Sequence, residues 1–374
     1  VLAAGDRILP LLKIWRFRLK ISLALVTLAV TGAAAQAAIN RPWGPASDPI
    51  HLGQNFVRRF AALPLAGEVS DTRKYWSGDY WALRRGNINY RWNAPVPAGF
   101  RYRSPGQDEV AQLSEAQLAV LSPAEKFDLL RGFYHYPLRR EVEAFTAPDK
   151  ADWEGMCHGA APASMHHNEP LPKTIRNPDG VLVPFGSSDI KALLSYYYAY
   201  KYNAPSRYLG FRCRSRWTPE GHGQCREDLN AGAFHIALAN RMGLEGLTFV
   251  ADIEDGKEVW NHIPVGYCTR VLNPSARPQF NSAPGTVRTA KLQTTVTFVN
   301  NSPRNTWEPV LGTSLQITET RTYEYALDLD RSGSIIGGNW SSKVRPDFIW
   351  DVDPVPFFEG DWGALALLLD DHQS

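Results

Sequence analysis

The chain reads as an α+β protein, in which helical segments come first and antiparallel strands follow. Three observations carry that reading. Ser122, Pro123 and Glu125 form a capping box with proline at the first helical position. Residues 187–200 form a capped, apolar-faced helical run that Ser188 or Asp189 opens. Residues 287–299 and 320–329 alternate apolar and polar side chains with no helix between them, as strands of one antiparallel sheet do.

Taken in order, residues 1–37 place Lys13, Arg16, Arg18 and Lys20 before an apolar run at 21–30 and end in Ala35, Gln36 and Ala37. This is the pattern of a secretory signal cleaved after Ala37, and the run is short for a membrane span. The expected location is secreted or periplasmic, with no stable membrane insertion after cleavage. Removing the segment takes away five basic and one acidic side chain, so the net charge passes from +2 to −2. Nothing in that balance favours nucleic acid. With 374 residues, 44% hydrophobic and 11% aromatic, the chain can bury a large core.

Residues 38–120 form an aromatic-rich N-terminal region, considered as a pro-like segment. It holds one short helix expected at 56–63, and Trp76, Trp81 and Trp92 are read as core lining rather than as the wall of a cleft. The catalytic core is expected at 121–275, with the helix from Pro123 running to about Phe133 and a short strand at 181–185. A β-rich part at 276–374 is expected to pack into the same domain.

The chemistry centres on Cys157, which follows a Gly-bounded turn and opens a small-residue segment, Gly159, Ala160, Ala161 and Ala163, suited to a helix packed closely against a sheet. A helix N-terminus lowers a thiol's pKa and supplies N–H donors for an oxyanion, so Cys157 is read as a catalytic thiolate. His235 lies in an apolar segment that fits either a strand or a helix opened after Asn230. Asp252 ends the next predicted strand. Cysteine, histidine and aspartate in that order match papain-like and transglutaminase-like folds. His235 is thus the expected general base and Asp252 its orienting partner, with Asn261 and Asp255 as alternatives for the third role. Trp153, His158 and Trp260 are assigned to substrate binding. Cys213 and Cys225 bracket a loop rich in arginine, glycine and proline and are expected to pair as a disulfide, leaving Cys157 and Cys268 as thiols. No metal site is expected. Zinc on Cys157, His158, His166 and His167 is disfavoured because adjacent histidines diverge, and Asp328 and Asp330 form a weak Ca²⁺ candidate better read as a β-turn. No cofactor is expected, with a Ca²⁺ requirement left open.

The stretches YWSGDYW (75–81), WEGMCHGAAPAS (153–164), PFGSSDIKALLS (184–195), NAGAFHIALAN (230–240), EVWNHIPVGY (258–267) and GGNWSSKVRPDFIW (337–350) resemble, in the same order, the transglutaminase elicitor family. The resemblance implies a papain-like cysteine scaffold, Cys157 as nucleophile, and acyl transfer from a protein glutamine to a lysine or small amine. A cysteine peptidase or glutamine deamidase is the alternative, and a non-catalytic cell-surface binding module the second. Trp260, Asn261, Pro264 and Gly266 are similar to the surface peptide by which plant hosts recognise oomycete secreted members. The chain departs from the pattern at Ala160, where a bulkier aromatic is usual, and at the additional Ile263.

Overall fold

The computed structural model describes residues 43–95, 102–212, 229–254, 258–302 and 304–369. The expected signal segment, the Cys213–Cys225 pair and Asp255 lie outside them. Seven α-helices occur among the described residues: α1 Gln107–Val110, α2 Glu115–Ala119, α3 Pro123–Leu130, α4 Pro137–Glu143, α5 Cys157–His166, α6 Ser187–Tyr200 and α7 Ala231–Leu238. The strands are β1 Ala66–Glu68, β2 Lys173–Arg176, β3 Leu182–Phe185, β4 Arg207–Gly210, β5 Val250–Asp252, β6 Asn261–Ala276, β7 Arg288–Val299, β8 Thr318–Leu329, β9 Ile335–Trp340 and β10 Phe348–Asp351. The α+β class is as expected. The helix expected at 56–63 shrinks to a single 3₁₀ turn at Phe60–Ala62.

An eight-stranded sheet runs β4-β10-β5-β6-β7-β8-β9, with β1 added alongside β6; β2 and β3 form a separate hairpin. The late strand β10 is inserted between β4 and β5, antiparallel to both. One sheet therefore crosses the expected boundary at 275/276, because β6 spans it and β10 closes the far side. Alternation along the strands divides the core. Val250, Ile263, Phe348 and Trp350 pack with α5 and α6, whereas Ala251 and Ile349 pack on the opposite face with α7.

Helix α6 is buried on every side through Tyr198, the signature of a helix enclosed in a core. Its start is held by Asp189, whose carboxylate accepts the Gly186 N–H (2.8 Å), the Trp92 indole N–H (2.8 Å) and the Lys126 ammonium (2.7 Å). Lys126 and Asp189 are both fully buried. At α3 the expected capping box is formed, with Ser122 Oγ accepting from the Glu125 N–H and Glu125 accepting from the Ser122 N–H.

Helix α5 lies against α6 more closely than a side chain at Gly159 would allow. A Cβ there would sit 2.1 Å from the Ser195 carbonyl oxygen and 2.7 Å from Ala199 Cβ. The close packing expected for the small-residue stretch is thus made chiefly to a helix. The aromatic segment 75–81 braces α5 at both ends. The Tyr75 N–H donates to Ser164 O (2.9 Å), Ser164 Oγ to Trp76 O (2.9 Å), and the Met156 N–H to Tyr80 O (2.7 Å). Trp76 and Trp81 are core residues, each 2% exposed.

Removing one partner of a buried ion pair leaves an uncompensated charge, so Asp189→Ala should lose about 3–5 kcal/mol of stability. The shift of the urea unfolding midpoint at unchanged slope measures this.

Candidate active site

Cys157 is the first residue of α5 and is 4% exposed. Its thiol donates to Val259 O (3.5 Å), and Asn261 Nδ2 donates to Sγ at 3.6 Å. The orientation of that amide is fixed from behind. The Trp350 indole N–H, which can only donate, is 2.8 Å from Asn261 Oδ1, so the NH₂ group must face the sulfur.

Asn261 and Asp252 are register partners on β6 and β5, and Phe348 pairs with Asp252 from the other side. Directly opposed residues of antiparallel strands share a face. The sheet therefore presents Asp252, Asn261 and Phe348 together beneath the start of α5. Asp252 Oδ1 accepts the Trp260 N–H (2.9 Å), while its buried Oδ2 has no hydrogen-bond partner among the described residues. Burial pushes this carboxyl up to about 7, against the pull of the Trp260 and Glu254 N–H groups and of Arg212.

The preformed thiolate expected from the helix start does not survive burial. Enclosure raises the Cys157 thiol above its ordinary pKa, the Asn261 and His158 donors pull it down, and the Asp252 charge raises it again. Desolvation outweighs the local N–H groups.

His235 is not brought to Cys157. It sits on α7 across the sheet, wholly buried, with Nδ1 2.8 Å from Tyr325 Oη and its ring against Phe60. Burial lowers its pKa to about 4, so it is a neutral core histidine. The Ala-Phe-His segment is a helix capped by Asn230, apolar on all sides, and packing chose its place. His262 also turns away, with Nδ1 on Val299 O (3.0 Å). Among the described residues no imidazole nitrogen hydrogen-bonds the Cys157 sulfur.

Of the expected substrate contacts, Trp260 packs edge-on against Tyr80, and its indole N–H donates to Glu258. Trp153 lies beneath the Arg212 guanidinium at 5.5 Å. His158 stands beside Tyr200 and lines a cavity of about 300 Å³ that reaches Val259 and Asn261. The segment that is similar to a surface peptide is mostly covered here: Asn261, His262, Ile263 and Pro264 are buried at the start of β6. They enter the central sheet, which a displayed loop would not do. Both described cysteines, buried Cys157 and exposed Cys268, are free thiols. His166 and His167 bond Val352 O and Tyr198 Oη, away from the sulfur.

Asp328 and Asp330 do not converge. Asp328 accepts the Ala283 N–H, while Asp330 accepts from Ser332 and Ser334 within a tight turn. Sequence reasoning missed Trp350, whose strand forms only through pairing with distant β4 and β5.

The model of the family described as "Transglutaminase elicitor" matches residues 146–358, more than half of the chain. The chain belongs to the transglutaminase elicitor family. The fold is shared with the crystal structure of the GP42 transglutaminase from Phytophthora sojae, at a TM-score of 0.62 and 20% identity, covering 85% of this chain and 94% of that one. No curated protein matches the sequence. The family match takes in Cys157, Asp252, Asn261 and Trp350 together. No helix among the described residues of this transglutaminase elicitor family member is long and apolar enough to cross a membrane.

Because the Asp252 charge raises the thiol, Asp252→Asn should move the pH profile of Cys157 alkylation to lower pH. Iodoacetamide rates in a Cys268→Ser background test this, and an unmoved profile would contradict the coupling.

Proposed function

We propose that this protein is a secreted or periplasmic protein-glutamine γ-glutamyltransferase with Cys157 as nucleophile. The observation that carries the reading is a free, buried thiol at a helix N-terminus with a fixed carboxamide N–H directed at its sulfur. In the proposed reaction, Asp252 takes the thiol proton as the sulfur attacks the glutamine carboxamide carbon. Its raised pKa suits a proton carrier near neutrality. The Asn261 amide and the N–H groups opening α5 stabilise first the developing thiolate and then the oxyanion. Collapse breaks the C–N bond, and ammonia departs with the proton held by Asp252. A primary amine, from lysine or a small molecule, then resolves the thioester; water in its place gives deamidation. The scheme calls on no cofactor. His235 has no part in it.

Cys157→Ala should abolish both ammonia release from a glutamine peptide and incorporation of a tagged amine, with an unchanged circular dichroism spectrum. Retention of either activity would refute the assignment. Ammonia release without amine incorporation would make the wild-type protein a deamidase.

A further inference from the structure

Strands β6 and β7 form a hairpin that carries the sheet away from Cys157. Asn261 opens β6 beneath the thiol, and Ala276 ends its 16 residues, about 50 Å along the strand. Between Glu258 and Glu308 the sequence holds no aspartate or glutamate, whereas the hairpin carries Arg270, Arg277, Arg288 and Lys291. Arg331 joins them from the turn between β8 and β9, where Gly333 lies against the Arg288 guanidinium. None of these five cations forms an ion pair among the described residues.

The carboxylates of β8 and its turn are engaged elsewhere. Asp328 is 1% exposed and accepts the Ala283 N–H (2.9 Å), Asp330 accepts the N–H groups of Ser332 (2.8 Å) and Ser334 (2.9 Å), and Glu324 accepts the Gln293 amide (2.8 Å). A chain whose net charge is −2 after residue 37 thus gathers uncompensated positive charge at one end of its sheet. At the crest of the same hairpin stands Phe280, wholly exposed. The turn beneath it is tied on every side: the Ser282 N–H donates to Gln279 O (3.1 Å), the Gln279 N–H to Ser282 Oγ (3.0 Å), and Asn281 Nδ2 to Asn339 Oδ1 (3.1 Å). The ring is therefore held out from the body by a braced loop. Leu272 and Val287, on the same hairpin, are exposed as well.

We infer that this hairpin tip is a docking surface for an anionic phospholipid bilayer, on which the protein adheres without spanning it. A bilayer of that kind offers both things the tip can use: a plane of phosphates for the guanidinium and ammonium groups, and a headgroup–acyl boundary for an aromatic ring. A soluble polyanion would satisfy the cations and leave Phe280 in water. Docking at the tip is independent of the chemistry at Cys157. A molecule standing on it holds the thiol away from the lipid by most of the length of β6.

The test is co-sedimentation of the full protein with vesicles of phosphatidylcholine alone and of an equal mixture of phosphatidylcholine and phosphatidylglycerol. Binding should be stronger to the mixture and should weaken as salt is raised. Replacing Arg277 and Arg331 together by Gln should lower the partition coefficient about 25-fold, or about fivefold per charge. Phe280→Ala should lower it about tenfold, and Phe280→Trp should keep it. Wild type and variants share one N-terminus, so its contribution cancels in these ratios. The three side chains are exposed, and an unchanged circular dichroism spectrum shows that each variant folds. Equal binding of the wild type to both vesicles, or no binding to either, overturns the inference. So does a loss confined to the arginine variant with Phe280→Ala unaffected, which would assign the tip to a soluble polyanion.

Discussion

The contact between α5 and α6 at Gly159 is the constraint on which the site depends. Two helices can approach to the point where a backbone carbonyl meets a Cα only if no side chain intervenes, and the Ser195 oxygen occupies the place a Cβ would need. Once α6 is enclosed by core on every side and pinned at its start by Asp189, α5 has one available depth. Segment 75–81 then fixes its position along the axis through hydrogen bonds at both ends. The thiol at the first residue of α5 inherits that placement and is delivered onto the row of Asp252, Asn261 and Phe348. Each of these contacts is remote from the Cys157 sulfur, yet together they decide where it lies.

Enclosure determines the electrostatics as well. A cysteine at an open helix start would be biased toward thiolate; this one is covered, and the cost of charging it in a poorly solvated space exceeds what the N–H donors of Asn261 and His158 return. The same enclosure raises Asp252, and the two groups repel each other's charged forms. Neither group is held as a fixed anion by its surroundings, and the sulfur has an amide rather than an imidazole beside it.

Much of the fold was legible in the sequence wherever local signals operate. The capping box at Ser122, the limits of α6 and the alternating strands β7 and β8 all follow from periodicity and end chemistry. The short strand β10 was not legible, since Phe348–Asp351 is only four residues long and pairs with partners about one hundred residues or more away. Trp350 was lost with it. For His235, sequence order suggested a base, but order along a chain does not say on which face of a sheet a residue falls. Its neighbours Phe234, Ile236 and Leu238 are all buried, and a helix apolar on every side goes where packing is best. Asn261 appeared only as an alternative because its carboxamide gives no sign in the sequence of what it faces; the indole that orients it is 89 positions away.

The insertion of β10 between β4 and β5 bears on when the site comes into being. Until residues 348–351 emerge from the ribosome, β4 and β5 have no bridge between them, the Asn261 amide is free to turn, and one wall of the hollow beside Cys157 is missing. Long-range strand pairing of this kind is a late event in folding. Cys157 is therefore synthesised nearly two hundred residues before its surroundings can be completed. A partly made or prematurely terminated chain would carry the cysteine without the machinery around it.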